Sequence, residues 1–143
     1  MKLDAKDAVR KAAKWQQVAV EAVKQCGAAW LPEVAAPVTP DEFLQRHERF
    51  DLALIASLHG GACHPRACFE QFEAAHSTPP RSLALWIGPE GDFTSIEDAA
   101  IRASGALAVT LGDLILRADT AALYCLSFVR HELDWRWFGI EKS

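Results

Sequence analysis

Apolar residues recur at helical spacing through the first stretch of the chain: Ala8, Ala12, Trp15, Ala19, Ala22 and Val23 place one apolar face on a segment free of Pro and Gly. That spacing predicts a helix from about Asp4 to Gln25. Gly27 suits a left-handed cap, and Pro32, Pro37 and Pro40 then mark an extended connection with room for at most a short strand near Trp30–Val34. Thr39-Pro40-Asp41-Glu42 combines an N-cap hydroxyl, a Pro at the first helical position and a Glu three residues after the cap, which predicts a new helix start.

The period then changes. Leu52-Ala53-Leu54-Ile55-Ala56-Ser57-Leu58 is a nearly unbroken apolar run ended by His59-Gly60-Gly61, as a strand buried on both faces of a parallel sheet requires. A helix from about Pro65 to Ala75, the Pro79-Pro80 break and a second buried strand, Leu83–Ile87, follow. Thr94-Ser95-Ile96-Glu97 is another capping box, opening a helix that stops at Gly105, and Leu107-Ala108-Val109-Thr110-Leu111 reads as a third strand. A last helix with a strongly apolar face is predicted from about Thr120 to Trp137. Strand and helix alternate without repeat or internal linker, so the reading is one α/β domain over residues 1–143, its mostly parallel sheet flanked by helices.

Half of the 143 residues are apolar, enough for a sizeable core. No run of about 18 apolar residues occurs, and the charged start leads into a helix instead of a signal segment. A soluble, cytoplasmic chain is expected, without membrane partners. Cys26, Cys63, Cys68 and Cys125 lack the regular framework of a small secreted protein and are expected as reduced thiols. The net charge of −4 runs against phosphate binding, which draws on clustered Lys and Arg. Lys2, Lys6, Arg10, Lys11, Lys14 and Lys24 do gather in the first helix, but Asp4, Asp7 and Glu21 dilute them, so a solvated face outweighs a phosphate-binding stripe. Trp15, Trp30 and Trp86 fall at core-like positions, where burial is favoured over base stacking.

Two strands end in glycine-bearing turns, Ile87-Gly88-Pro89-Glu90-Gly91 and Leu111-Gly112 followed by Asp113-Leu114-Ile115-Leu116-Arg117. Ligands of open α/β sheets bind at the carboxyl ends of strands, where backbone groups and helix N-termini converge. Neither turn is a G-x-G-x-x-G or a G-x-x-x-x-G-K-[ST] loop, which disfavours ordinary dinucleotide or ATP binding. From pattern alone, a small-molecule site and a pair of tight turns stand level. His59, Cys63, His64, Cys68 and His76 are suitable metal-ligand types, but their spacing fits no standard zinc framework and Pro65 interrupts it, so no metal is expected.

Ile87-Gly88-Pro89-Glu90-Gly91 with Phe93, Thr94 and Glu97, then Leu111-Gly112 with Ile115-Leu116-Arg117 and Thr120-Ala121, resembles the paired signature of RsmE-type members of the SPOUT methyltransferase superfamily. The upstream helix, with Trp15, Glu21, Ala22, Gln25 and Gly27 leading to Pro32, is similar as well. The resemblance implies a deep C-terminal trefoil knot, which pattern reasoning would not propose because knots are essentially absent from folds in general. It implies S-adenosyl-L-methionine as cofactor, held by Leu58, Ile87, Gly88, Gly91, Leu111, Gly112, Ile115 and Leu116. It also implies methylation of uridine N3 in 16S ribosomal RNA, with the small ribosomal subunit as partner, and a homodimer, with which Tyr124, Phe128 and Trp135 on the last helix are consistent.

Loss of the N3 proton spreads negative charge onto the flanking carbonyls, and Arg117, a permanent cation with a planar fork of donors, is the candidate to meet it. Pairing of Arg117 with Asp119 or Glu90 is the plainer alternative. Glu90 is the second candidate, orienting the turn or receiving a proton. The chain departs from the family pattern at Asp92 (usually glycine), Ala118 (commonly Thr), Asp119 (typically Glu) and Ala28 (usually Arg). Asp92 adds negative charge beside the site, and Ala28 removes an expected RNA contact. The β-barrel RNA-binding domain that precedes this region in the family is not part of the resemblance, so a trimmed or reduced form is expected. The competing reading is a non-catalytic knotted dimer that binds cofactor or a partner without methylating RNA.

Overall fold

The computed structural model describes residues 5–139, with side chains from Asp7 onward. Lys2 and Asp4 lie outside the described residues. The chain divides into two compact units, Met1–Phe43 and Leu44–Ser143.

In the first unit, α1 (Ala5–Cys26) closes where the Gly27 amide donates to Val23 O at 2.9 Å. The segment that follows is extended but is not a strand. Gln16 supplies what a neighbouring strand would have supplied: its Nε2 donates to Pro32 O at 2.9 Å and its Oε1 accepts from Val34 N at 2.8 Å. Backbone polar groups need partners, and one side-chain amide provides them here. Trp30 is 86% exposed and Trp15 46%, which corrects the expected burial of both. The capping box at α2 (Pro40–Leu44) forms as the sequence predicts, with Thr39 N donating to Glu42 Oε2 and Glu42 N to Thr39 Oγ1.

The second unit holds β1 (Leu52–Ala56), α3 (Pro65–His76), β2 (Leu83–Ile87), α4 (Ser95–Ala103), β3 (Leu107–Val109) and α5 (Ala118–Phe138). The three strands are parallel in the order β2-β1-β3, with Leu54 paired to Leu85 on one side and Leu107 on the other. Being central, β1 is the most buried: Leu54 and Ile55 have no exposed surface. β2, read from sequence as buried, is half-buried throughout, whereas the other edge strand, β3, buries Ala108 and Val109. One core cluster joins Leu52, Leu54 and Val109 to Cys68 and Phe69 of α3 and Val129 of α5. The other joins Ile55 and Ala108 to Phe93 and Ile101. Helices thus cover both faces of the sheet, the arrangement expected of a parallel sheet.

Two strands are shorter than the apolar runs that announce them. β1 stops before Ser57 and β3 before Thr110, whose amide turns to Cys63 O at 3.0 Å. Both shortened ends lead into the loops of the site. α5 starts two residues earlier than predicted and is not a simple amphipathic helix. Ala121, Cys125, Val129 and Glu132 form its buried stripe, while Leu123, Tyr124, Leu126, Trp135 and Phe138 stay largely exposed. Glu132 is charged inside that stripe because Arg66 Nε lies 3.0 Å away and Arg136 also pairs with it, the Arg136 guanidinium resting over the Phe69 ring. No helix among the described residues is long and apolar enough to cross a membrane.

Candidate functional site

At the carboxyl ends of the strands the loops surround a cavity of about 290 Å³. Each wall follows from a strand ending. After β1 come Ser57 and Leu58; after β2 come Gly88, Pro89, Glu90, Gly91 and Asp92 beside Ile87; after β3 the segment Thr110–Gly112 and Leu114–Arg117 runs into the first turn of α5, where Ala118 and Ala121 complete the lining. All eight residues expected at the cofactor, Leu58, Ile87, Gly88, Gly91, Leu111, Gly112, Ile115 and Leu116, line this one cavity, as do Arg117 and Glu90. Residues 58 to 117 are brought together by the parallel topology, which returns every strand to the same end of the sheet.

Gly91 (φ +96°) and Gly112 (φ +106°) adopt left-handed backbone, and a Cβ added to either would meet nothing within 4 Å. Open space therefore lies beside the backbone of both turns, where a ligand could approach main-chain groups closely. The apolar side chains at the cavity are poorly covered: Leu58 is 60% exposed, Leu114 77% and Ile115 78%. A flat apolar ligand would remove them from water, at about 25 cal/mol for each Å² buried.

Arg117 caps the start of α5 without a side-chain cap bond, and its Nε lies 3.6 Å from Asp119 Oδ1. The anticipated pairing with Asp119 thus exists, but both side chains are more than 70% exposed, and such surface pairs contribute little. The guanidinium is free to swing to a ligand. Glu90 is exposed on the opposite turn and has no hydrogen-bond or ion-pair partner among the described residues.

Beneath the β1 loop lies a network that the pattern of the sequence did not single out. Ser57 Oγ donates to Asp98 Oδ1 at 2.7 Å, and Arg102 donates from Nε to Asp98 Oδ2 at 2.6 Å and from its NH2 group to Ser57 Oγ at 3.0 Å. The same guanidinium reaches Gly60 O at 3.2 Å. Burial opposes the Asp98 charge most strongly, but the bonds from Ser57 and Arg102 outweigh it and hold the carboxyl below its ordinary range. The i, i+4 spacing of Asp98 and Arg102 was the available signal; their reach to residues 57–60 was not. On the cavity side, Asp92 Oδ2 accepts from Leu58 N at 2.9 Å and Oδ1 from Phe93 N at 2.8 Å.

The metal-ligand types do not converge. His59 Nε2 faces Phe93 O, His64 caps α3, His76 bonds and stacks on Phe72, and Cys63 and Cys68 bring their sulfurs within 2.8 Å of each other. Among the described residues no group of three or more His, Cys, Asp or Glu is placed to hold a metal ion.

Fold and cavity together define an α/β arrangement with a cavity built from the loops at one end of a parallel sheet, the end where such sheets take ligands. A family model described as an RNA methyltransferase domain matches residues 1–130, and the chain belongs to that family. It is 31% identical over 136 residues to the ribosomal RNA small subunit methyltransferase E of Bacillus subtilis, covering 94% of this chain and 52% of that protein. The namesake from Synechocystis is 33% identical over 130 residues, 90% of this chain and 41% of that one. Among solved structures, a Legionella pneumophila protein in complex with bound S-adenosylmethionine superimposes with a TM-score of 0.76 at 31% identity, over 92% of this chain and 50% of that one. The Neisseria gonorrhoeae ribosomal RNA small subunit methyltransferase E bound to S-adenosyl methionine gives 0.73 at 28% identity, over 87% and 49%. The chain spans about half the length of these relatives.

Proposed function

We propose that this chain binds S-adenosyl-L-methionine and transfers its methyl group to N3 of a uridine in 16S ribosomal RNA. The observation that carries the reading is the cavity itself: ten residues named from the sequence meet there, with open backbone at Gly91 and Gly112 and uncovered apolar side chains at Leu58 and Ile115. These features suit an adenosyl group: apolar surface for a flat ring, and main-chain donors and acceptors for its polar edge. Bound there, the cofactor would supply an electrophilic methyl group on a sulfonium.

The chain's own contribution is positioning and charge. Leu58, Leu111, Ile115 and Leu116 exclude water from one side of the cofactor, and the turns around Gly88, Gly91 and Gly112 fix its orientation, so that two reactants held in line need little further ordering. Arg117, loosely tied to Asp119, turns its fork toward the uracil carbonyl that gains negative charge as the N3 proton leaves. Glu90, on the facing turn and without a hydrogen-bond or ion-pair partner among the described residues, receives that proton or orients the turn. We assign Arg117 and Glu90 these catalytic roles.

The same reading takes residues 1–143 as one methyltransferase domain with a C-terminal trefoil knot, supported by a family match that runs through both compact units and by the meeting of the β2 and β3 loops at one cavity. It also takes the chain as a cytoplasmic homodimer acting on the small ribosomal subunit. Tyr124, 48% exposed, and Trp135, 56%, support the dimer together with Phe138, 77%, whereas Phe128, also expected on that face, packs partly buried against the core. Incubation with labelled cofactor and small-subunit RNA, followed by nucleoside analysis, tests the activity. Label in N3-methyluridine is the expected result. A protein that binds cofactor yet leaves the RNA unlabelled would be the non-catalytic module, and the enzymatic reading would be withdrawn.

A further inference from the structure

Asp92 stands among the cavity residues with its backbone in the left-handed region, φ +68°, directly after Gly91. Left-handed backbone strains any residue with a side chain, though Asp tolerates it better than most. Something must hold the residue there. The turn is closed by Asp92 N donating to Pro89 O at 2.9 Å, and both carboxylate oxygens are then used: Oδ1 accepts from the next amide, Phe93 N, and Oδ2 from Leu58 N across the cavity's edge. Leu58 and Asp92 are 34 residues apart in sequence and belong to different walls, one following β1 and one following β2. The carboxylate is thus a strut between two walls, and its charge is met by two amides.

The β1 loop is also held by Ser57, Asp98 and Arg102, and His59 Nε2 meets Phe93 O at 3.3 Å. That network fixes where the loop leaves the sheet. Among the described residues only the Asp92 bond reaches the amide of Leu58, the loop residue expected against the cofactor. Gly88 leaves the room for it: a Cβ there would come within 2.5 Å of Asp92 Oδ1.

We propose that Asp92 is a positioning residue for the cofactor, holding the Leu58 wall against the Gly88–Phe93 turn. The proposal rests on the S-adenosylmethionine reading. It turns the charge that looked like an intrusion beside the site into part of the site's frame.

Two substitutions separate this from a merely structural role. Asp92→Asn keeps the shape but replaces one acceptor by an amino group that repels an N–H. Asp92→Gly removes both acceptors while relieving the left-handed strain, so its melting temperature should fall by less than the two lost bonds alone would give. Both should speed hydrogen exchange at the Leu58 amide in the free protein, and both should raise the S-adenosylmethionine Kd about 10-fold to 100-fold, the range for lost bonds to a charged acceptor. The KM for RNA should not change. A loss of affinity larger than the loss of stability in Asp92→Gly, with the KM for RNA unmoved, is the signature expected. Faster exchange at Leu58 with an unchanged Kd would overturn the proposal and leave the cofactor reading standing. An unchanged exchange rate would overturn it by removing the strut. A parent protein that binds no S-adenosylmethionine would instead overturn the reading on which it rests.

Discussion

Gly88 and Asp92 share one small volume: a Cβ on Gly88 would lie 2.5 Å from Asp92 Oδ1 and 3.0 Å from both Asp92 Cα and Phe93 N. Two of those atoms are backbone, so a rotamer change cannot relieve the clash. The requirement for glycine here is one of space. Gly88→Ala should therefore displace the turn, destabilising the fold by about 1–3 kcal/mol as overpacking does and weakening cofactor binding at least as much as Asp92→Gly. Denaturant unfolding and a cofactor titration of the variant check both.

Arg117 lines the cavity, and among the described residues it is held only by an exposed pair with Asp119. Arg117→Ala should leave the cofactor Kd within about twofold and lower kcat by about 100-fold to 1,000-fold, the usual loss on removing one donor aimed at developing charge. Single-turnover methyl transfer measures this. Equal activity in variant and parent would remove Arg117 from the mechanism.

Glu132 ties α5 to α3 from inside the core. Burial is the strongest single influence and raises its pKa, yet the bonds from Arg66 and Arg136 prevail and hold the carboxyl below its ordinary value of 4.5. At pH between the lowered folded value and the unfolded one, the unfolded chain binds more protons. The stabilisation is therefore complete above the unfolded value and is lost as pH falls through the folded one. Asp98, also lowered, acts in the same direction. Melting temperature should fall steeply below about pH 4, and Glu132→Gln should be less stable at pH 7 with a flatter acid limb. Removing one member of such a buried pair costs about 3 kcal/mol.

The four cysteines should divide by accessibility. Burial, with the neighbouring Cys63 thiol, pushes Cys68 up to about 12, and burial alone pushes Cys125 up to about 11, whereas Cys26 and Cys63 are exposed. Alkylation of the folded protein at pH 8 should modify Cys26 and Cys63 and spare the other two until denaturant is added, as peptide mass spectrometry would record.

The elements were legible because each carries a local signal. The capping boxes at Thr39 and Thr94 form as read, and β2 has the predicted bounds. The residues that line the cavity were named through the resemblance carried by the paired turns, since the pattern alone left a ligand site and two tight turns level. What escaped depends on contacts distant in sequence. The apolar run Leu52–Leu58 says nothing about Ser57 leaving the sheet to bond Asp98, 41 residues on. A strand near Trp30–Val34 was plausible from side chains alone, and it is a single amide, Gln16, that takes its backbone partners. Asp92 read as an added charge because its two acceptances involve a positive φ and the Leu58 amide, neither visible in a one-dimensional pattern.

The most direct test is a calorimetric titration of the purified chain with S-adenosyl-L-methionine. Saturable binding near one cofactor per chain, weakened in Gly88→Ala and retained in Arg117→Ala, is the predicted result. A folded protein that takes up no S-adenosylmethionine would contradict the assignment of the strand-end cavity as a cofactor site.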